Sequence, residues 1–212
     1  MNKIKGAIFD LDGTLFDSLW VWEEIDRRFL NKRGIEVPKD YSLAISAMSY
    51  ENSAVYTIKR FGLSDTPDAL MAEWMDMSRE MYATEIKLKK GAKEFLLALK
   101  AKGIKLAVAT SSTRELYEPA LKNNGIYQLF DVIIDTKGKR GKEFPDVYIA
   151  AAEAMGLSPT ECVVFEDLPI AILTAKNGGF KTVGIVDKHY SPVMQDNASI
   201  VAKEYCELIK LM

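Results

Sequence analysis

The chain has 212 residues, 48% hydrophobic and 27% charged, enough for one large domain or a core with a smaller insert and too apolar for disorder. Its 28 basic and 30 acidic side chains leave a formal net charge of −2, which removes any electrostatic reason to expect nucleic acid or an anionic membrane as partner. No apolar stretch approaches the roughly 20 residues of a membrane helix, and the short run after Lys3 and Lys5 is broken by Asp10, so the sequence predicts a cytoplasmic protein without a secretory leader.

The first element is a strand over residues 6–10, where Ala7, Ile8 and Phe9 end abruptly in Asp10, with Asp12, Gly13 and Thr14 just beyond. Residues 16–84 contain no convincing strand. Trp22, Ile25 and Phe29 give one apolar face to a helix over 18–32, stopped by Gly34, and Val55, Ile58 and Phe61 do the same over 51–61. Thr66-Pro67-Asp68 opens a longer helix reaching about residue 82, proline being suited to a first turn. Its methionines (71, 75, 77 and 81) read as filler rather than a binding stripe.

From residue 91 onward, strands alternate with helices. The strands are 105–110, 131–135, 162–166 and 182–186, and the helices are 91–101, 114–123, 146–155 and 169–177. Near-continuous apolar strands between amphipathic helices predict a Rossmann-like α/β core, a parallel sheet covered on both faces, formed by residues 1–15 and 85–212. Residues 16–84 are then an inserted all-helical domain. Cys162, inside a strand, reads as a buried free thiol, and the single His189 as a surface residue.

In an open parallel sheet, ligands bind beyond the carboxyl ends of the strands, which is where Asp10 falls. The pair Asp10 and Asp12 by itself is equally well explained as an Asp-Gly turn. The ends of the later strands tip the balance. Asp10-Leu11-Asp12-Gly13-Thr14-Leu15 resembles the first signature of the haloacid dehalogenase superfamily. Thr110-Ser111, closing an apolar strand, resembles the second. Lys142 ahead of Pro145-Asp146 resembles the third, with Lys139 as a weaker candidate. Glu166-Asp167 resembles the fourth. The match runs from residue 6 to about 187, and the helical insert falls where the superfamily carries its type-one cap, as in the beta-phosphoglucomutase and phosphoglycolate phosphatase-like subgroup.

The resemblance implies a Mg²⁺-dependent phosphatase acting on a small phosphorylated metabolite. Asp10 is the implied nucleophile and forms a phospho-aspartate. Asp12 is the implied general acid and base, neutral at the first step, and its backbone carbonyl joins Asp10 and Asp167 on the metal, with Glu166 as a second or water-bridged ligand. Thr110 and the Ser111 amide are implied to hold phosphoryl oxygens, and Lys142 to cancel charge. Trp22 and Tyr50 are candidates to line the entrance and stack on a sugar or base, together with Trp20 and Met48, although Trp22 reads equally well as helix core.

The chain departs from the pattern at Glu143, where proline is usual, and at Leu168 and Ala171, where serine and glycine are usual. Asp12 argues against dehalogenation. A phosphosugar mutase remains the alternative, but it calls for a cap histidine, arginine and lysine near Trp22, Tyr50 and Ser46, where this chain has none. A non-catalytic phosphometabolite-binding protein is the third reading, and it has no need of both aspartates. A monomer or weak homodimer is expected.

Overall fold

The computed structural model describes residues 4–45, 48, 50–137, 140–187 and 198–210. His189, Lys139 and Ser46 lie outside the described residues. The chain divides into two compact units, Met1–Leu19 with Ile86–Met212, and Trp20–Glu85.

The first unit is built on a six-stranded parallel sheet. Its strands are β1 (Gly6–Phe9), β4 (Lys105–Thr110), β5 (Val132–Asp135), β6 (Cys162–Glu166), β7 (Lys181–Ile185) and β8 (Ile200–Ala202), in the order β5-β4-β1-β6-β7-β8. β1 is central, with Phe9 in register with Val108 on one side and Phe165 on the other. Successive strand side chains point to opposite faces, which is why both faces need an apolar cover. On one face Ile8, Ala107 and Val164 pack with Val147, Tyr148, Ala151 and Ala152 of α7 (Asp146–Ala154). On the other, Phe9 stacks on Phe165 at 4.3 Å, and both rings meet Phe95 of α5 (Ala92–Ala101). Phe95 in turn meets Tyr205 of the short terminal helix α9 (Tyr205–Ile209). α6 (Arg114–Asn123) and α8 (Pro169–Asn177) complete the helices of this unit. Cys162 is buried and free.

Four short segments of this unit are absent from the sequence reading. A two-residue antiparallel pair, β2 (Phe16–Asp17) with β3 (Lys87–Leu88), brings the two chain crossings of this unit side by side. β8 and α9 are also new. All four segments are too short for periodicity to register.

The second unit holds α1 (Val21–Asn31), α2 (Tyr41–Ile45), α3 (Tyr50–Phe61) and α4 (Pro67–Thr84). Thr66 caps α4 by accepting the Ala69 N–H at 3.3 Å, as its Thr-Pro start predicts. The helices form as expected, and Ile25 and Phe29 are buried as their spacing predicts, but Trp22 in α1 and Val55 in α3 are left outside. In α1 the buried side chains are Val21, Ile25, Asp26, Phe29 and Leu30, while Trp22 is 44% exposed. In α3 they are Ser53, Ala54 and Thr57, with Val55 exposed. The α3 face tolerates hydroxyls because they are satisfied internally. Tyr41 and Thr57 share a 2.7 Å hydrogen bond, and Thr57 donates to the Ser53 carbonyl. None of the described helices is long and apolar enough to cross a membrane.

Candidate active site

The carboxyl ends of β1, β4 and β6 lie side by side, so the residues that follow them converge. Asp10 immediately follows β1, its N–H donating to the Phe165 carbonyl at 3.0 Å. Thr110 ends β4 and Glu166 ends β6. A cavity of about 120 Å³ opens there, lined by Asp10, Asp12, Leu19, Thr110, Ser111, Ser112, Lys142, Asp167 and Leu168. A larger cavity of about 320 Å³, at Arg114, Tyr117 and Tyr127, contains none of these strand-end residues.

Asp10, Lys142, Glu166 and Asp167 are all buried. The Lys142 ammonium donates to Asp10 Oδ1 and, at 2.6 Å, to Glu166 Oε1. Tyr148 donates its hydroxyl to that same Glu166 oxygen at 2.7 Å. Glu166 Oε2 accepts the backbone N–H groups of Asp167 and Leu168 at 3.2 and 3.4 Å. Both Glu166 oxygens are therefore engaged within the protein.

Asp167 is held differently. Thr14 donates to its Oδ1 at 3.1 Å, and the Thr14 carbonyl accepts from the Tyr205 hydroxyl at 3.2 Å. Asp167 Oδ2 is buried with no hydrogen-bond partner among the described residues. Gly13 makes room for it: at φ +76°, a Cβ on this residue would sit 2.3 Å from that oxygen.

Burial pushes the Asp10 carboxyl well above the usual carboxylate range. Lys142 opposes the shift, and Glu166, Asp167 and Asp12 add to it. Burial, with Glu166 adding, pushes Asp167 up to about 7 against Lys142 and Thr14. Burial works against the charge of Lys142, but Asp10 and Glu166 overcome it and hold the ammonium above the ordinary lysine range. Burial, with Glu166 adding, also raises the Tyr148 phenol strongly, so it stays a donor. Three carboxyl groups thus face one cation. One oxygen from each of Asp10, Glu166 and Asp167 lies within 4.8 Å of the others. An all-oxygen set with one orphaned buried carboxylate oxygen and a deficit of positive charge fits a hard divalent cation.

The other expected residues fall as follows. Asp12 is half-buried and accepts the Ser18 hydroxyl at 2.7 Å. Thr110 is buried, and its oxygen accepts the Ser112 N–H at 3.0 Å, which leaves the hydroxyl proton for another acceptor. Ser111 is exposed at the cavity. Glu143 is exposed and its carboxylate folds back over Gly141, away from the lining. Trp22 and Tyr50 belong to the helical unit, where their rings meet edge-on at 6.1 Å. Tyr148 and Tyr205 are absent from the sequence reading. Tyr148 looks like core in an apolar helix, Tyr205 lies beyond the last expected element, and only the hydroxyl distinguishes either.

A family model, haloacid dehalogenase-like hydrolase, matches residues 7–185. The chain belongs to that family. Among curated relatives, it is 30% identical to validoxylamine A 7'-phosphate phosphatase of Streptomyces hygroscopicus subsp. limoneus, over 96% of this chain and 95% of that protein. It is also 30% identical to hexitol phosphatase A of Escherichia coli, over 86% of this chain and 83% of that one. Among solved structures, a Thermotoga maritima protein provisionally named a beta-phosphoglucomutase superposes with a TM-score of 0.89 at 24% identity, covering 99% of this chain and 100% of its own. That likeness shows a shared fold over nearly the whole chain. Residues from each of the four segments that resemble the superfamily's signatures line the cavity.

Proposed function

We propose that the protein is a Mg²⁺-dependent phosphatase that hydrolyses a small phosphorylated metabolite, of the phosphorylated sugar or polyol class, through a phospho-aspartate on Asp10. The observation that carries this reading is the buried Asp10–Lys142–Asp167 arrangement at the strand ends, open to the cavity beside Thr110 and Ser111. Two relatives, named validoxylamine A 7'-phosphate phosphatase and hexitol phosphatase A, support the substrate class.

The Asp10 carboxylate attacks phosphorus while the bond to the leaving oxygen breaks on the far side. Asp12 gives that oxygen a proton, then takes one from the water that hydrolyses the acyl phosphate. Its half-exposed position lets it exchange protons with solvent between turnovers. The Thr110 hydroxyl and Ser111 N–H hold phosphoryl oxygens, and Lys142 offsets their charge. Asp10, the free oxygen of Asp167 and the Asp12 carbonyl would hold Mg²⁺, which when bound supplies the positive charge that lets one anion approach another. Glu166, with its oxygens already engaged, acts through Lys142. We assign substrate selection to the helical unit, with Trp22 and Tyr50 as its contact residues.

Purified protein with Mg²⁺ should release phosphate from p-nitrophenyl phosphate, and Asp10→Asn should abolish release. Conversion of a sugar 1-phosphate with little free phosphate would point instead to a mutase, and ester binding without turnover to a sensor.

A further inference from the structure

Position 148 lies in an alanine-rich helix against the sheet, where Tyr148 is 0% exposed and its ring meets Phe180 at 6.2 Å. Packing alone would be served by phenylalanine, so the hydroxyl needs its own account. A buried hydroxyl is costly unless bonded. This one donates to Glu166 Oε1 at 2.7 Å, the oxygen that also receives Lys142 at 2.6 Å. Two donors therefore share one acceptor, and the second of them also reaches Asp10. The other Glu166 oxygen is fixed by two backbone N–H groups, so the carboxylate cannot swing away to relieve the competition.

We propose that Tyr148 is a positioning residue: by occupying part of Glu166 Oε1, it keeps the Lys142 ammonium shared between Glu166 and Asp10 instead of collapsed onto Glu166. The inference deepens the phosphatase reading and rests on it for its effect on turnover. Its positional half stands on the geometry alone. Without the hydroxyl, Glu166 Oε1 holds Lys142 more tightly, and the ammonium offers less charge to Asp10 and to a phosphoryl group. The loss falls where charge develops, in the chemical step rather than in ground-state binding.

The test compares wild type with Tyr148→Phe, using p-nitrophenyl phosphate and Mg²⁺. The variant should lose about tenfold in kcat, with KM within about twofold of wild type. Phe180→Leu, which loosens the same packing without touching Glu166, should lower the melting temperature and leave kcat unchanged. Crystal structures of wild type and Tyr148→Phe should show Lys142 Nζ displaced from Asp10 toward Glu166 in the variant. An unchanged kcat in Tyr148→Phe overturns the proposal, as does a loss that Phe180→Leu reproduces. Should the wild type release no phosphate at all, the phosphatase reading fails, and the crystal structures decide the positional claim: a Lys142 that has not moved refutes it.

Discussion

Gly13 and Asp167 are fitted to each other, since a methyl group on the glycine would come within 2.3 Å of the Asp167 oxygen that has no hydrogen-bond partner among the described residues. Gly13→Ala should therefore do two things. It places a side chain at φ +76°, at a cost of about 1–2 kcal/mol in stability, and it displaces the oxygen assigned to the metal. Mg²⁺ affinity, read by isothermal titration, should fall at least about tenfold. Gly34→Ala supplies the control. Its φ of +72° is as strained, but no described residue lies within 4 Å of the new methyl group, so only stability should suffer. If Gly13→Ala bound Mg²⁺ as wild type does, the assignment of Asp167 Oδ2 to the metal would be wrong.

Lys142 is the cation between two buried carboxylates, and removing it leaves both without their shared partner. Breaking a buried pair by deleting one member costs on the order of 3–5 kcal/mol, because the remaining charge stays desolvated. Lys142→Met keeps most of the side-chain volume, so the loss would be electrostatic rather than a cavity effect. Urea unfolding at neutral pH should show that range, and phosphate release should fall below detection. A stability within 1 kcal/mol of wild type would show that Asp10 and Glu166 are not held by this ammonium.

The convergence of the strand-end residues at the candidate site is legible in the sequence because of a contrast that local pattern exposes. Apolar strands run straight into Asp10, Thr110 and Glu166, and in a parallel sheet those ends must meet. The supporting half is not legible. Nothing in an alanine-rich helix marks Tyr148 as more than core, and nothing near residue 205 marks a tyrosine whose hydroxyl reaches the Thr14 carbonyl. These contacts join residues 18 and 191 positions apart, a range that periodicity does not sense. The exposure of Val55 has a simpler cause. In α3 the buried side is made of Ser53, Ala54 and Thr57, small residues that let the helix approach closely, while the apolar Val55 is left outside. Reading hydrophobicity as burial misplaces Val55 there, while Ile58 and Phe61 are half-buried.

Asp26 gives the helical unit a pH-dependent stability. It is 7% exposed, and burial, with Glu23 adding, pushes its carboxyl up to about 7 from an ordinary value of 3.8. The folded state then holds a proton that the unfolded chain releases at lower pH. The contribution is fully present below about pH 4 and is lost as pH rises through about 7, amounting to roughly 4 kcal/mol at most. All three tryptophans (residues 20, 22 and 74) lie in this unit, so their fluorescence reports its melting. Wild type should melt progressively lower between pH 4.5 and 8. Asp26→Asn should follow it at pH 4.5 and exceed it at pH 8. Parallel profiles for the two proteins would show that Asp26 ionises normally.

Trp22 and Tyr50 remain as large rings that the fold does not bury, 44% and 36% exposed, with their edges meeting at 6.1 Å. A second contact, Tyr50 to Trp74 at 5.7 Å, holds the pair against the buried Trp74, and Tyr50 donates its hydroxyl to the Met71 carbonyl at 3.0 Å. The pair is thus preorganised without being needed for the core. Trp22→Ala should change stability by no more than about 1 kcal/mol, as for other half-exposed sites away from caps and ion pairs. If the rings stack on substrate, the same change should raise KM several-fold for a hexose phosphate and leave it unaltered for glycerol phosphate, which has no ring to stack. Tyr50→Phe, which keeps the ring and removes only the hydroxyl, should leave both KM values near wild type. A uniform rise across both substrates with Trp22→Ala would mean that the ring shapes the helical unit rather than the choice of substrate. No change with either would remove the aromatic pair from the recognition surface.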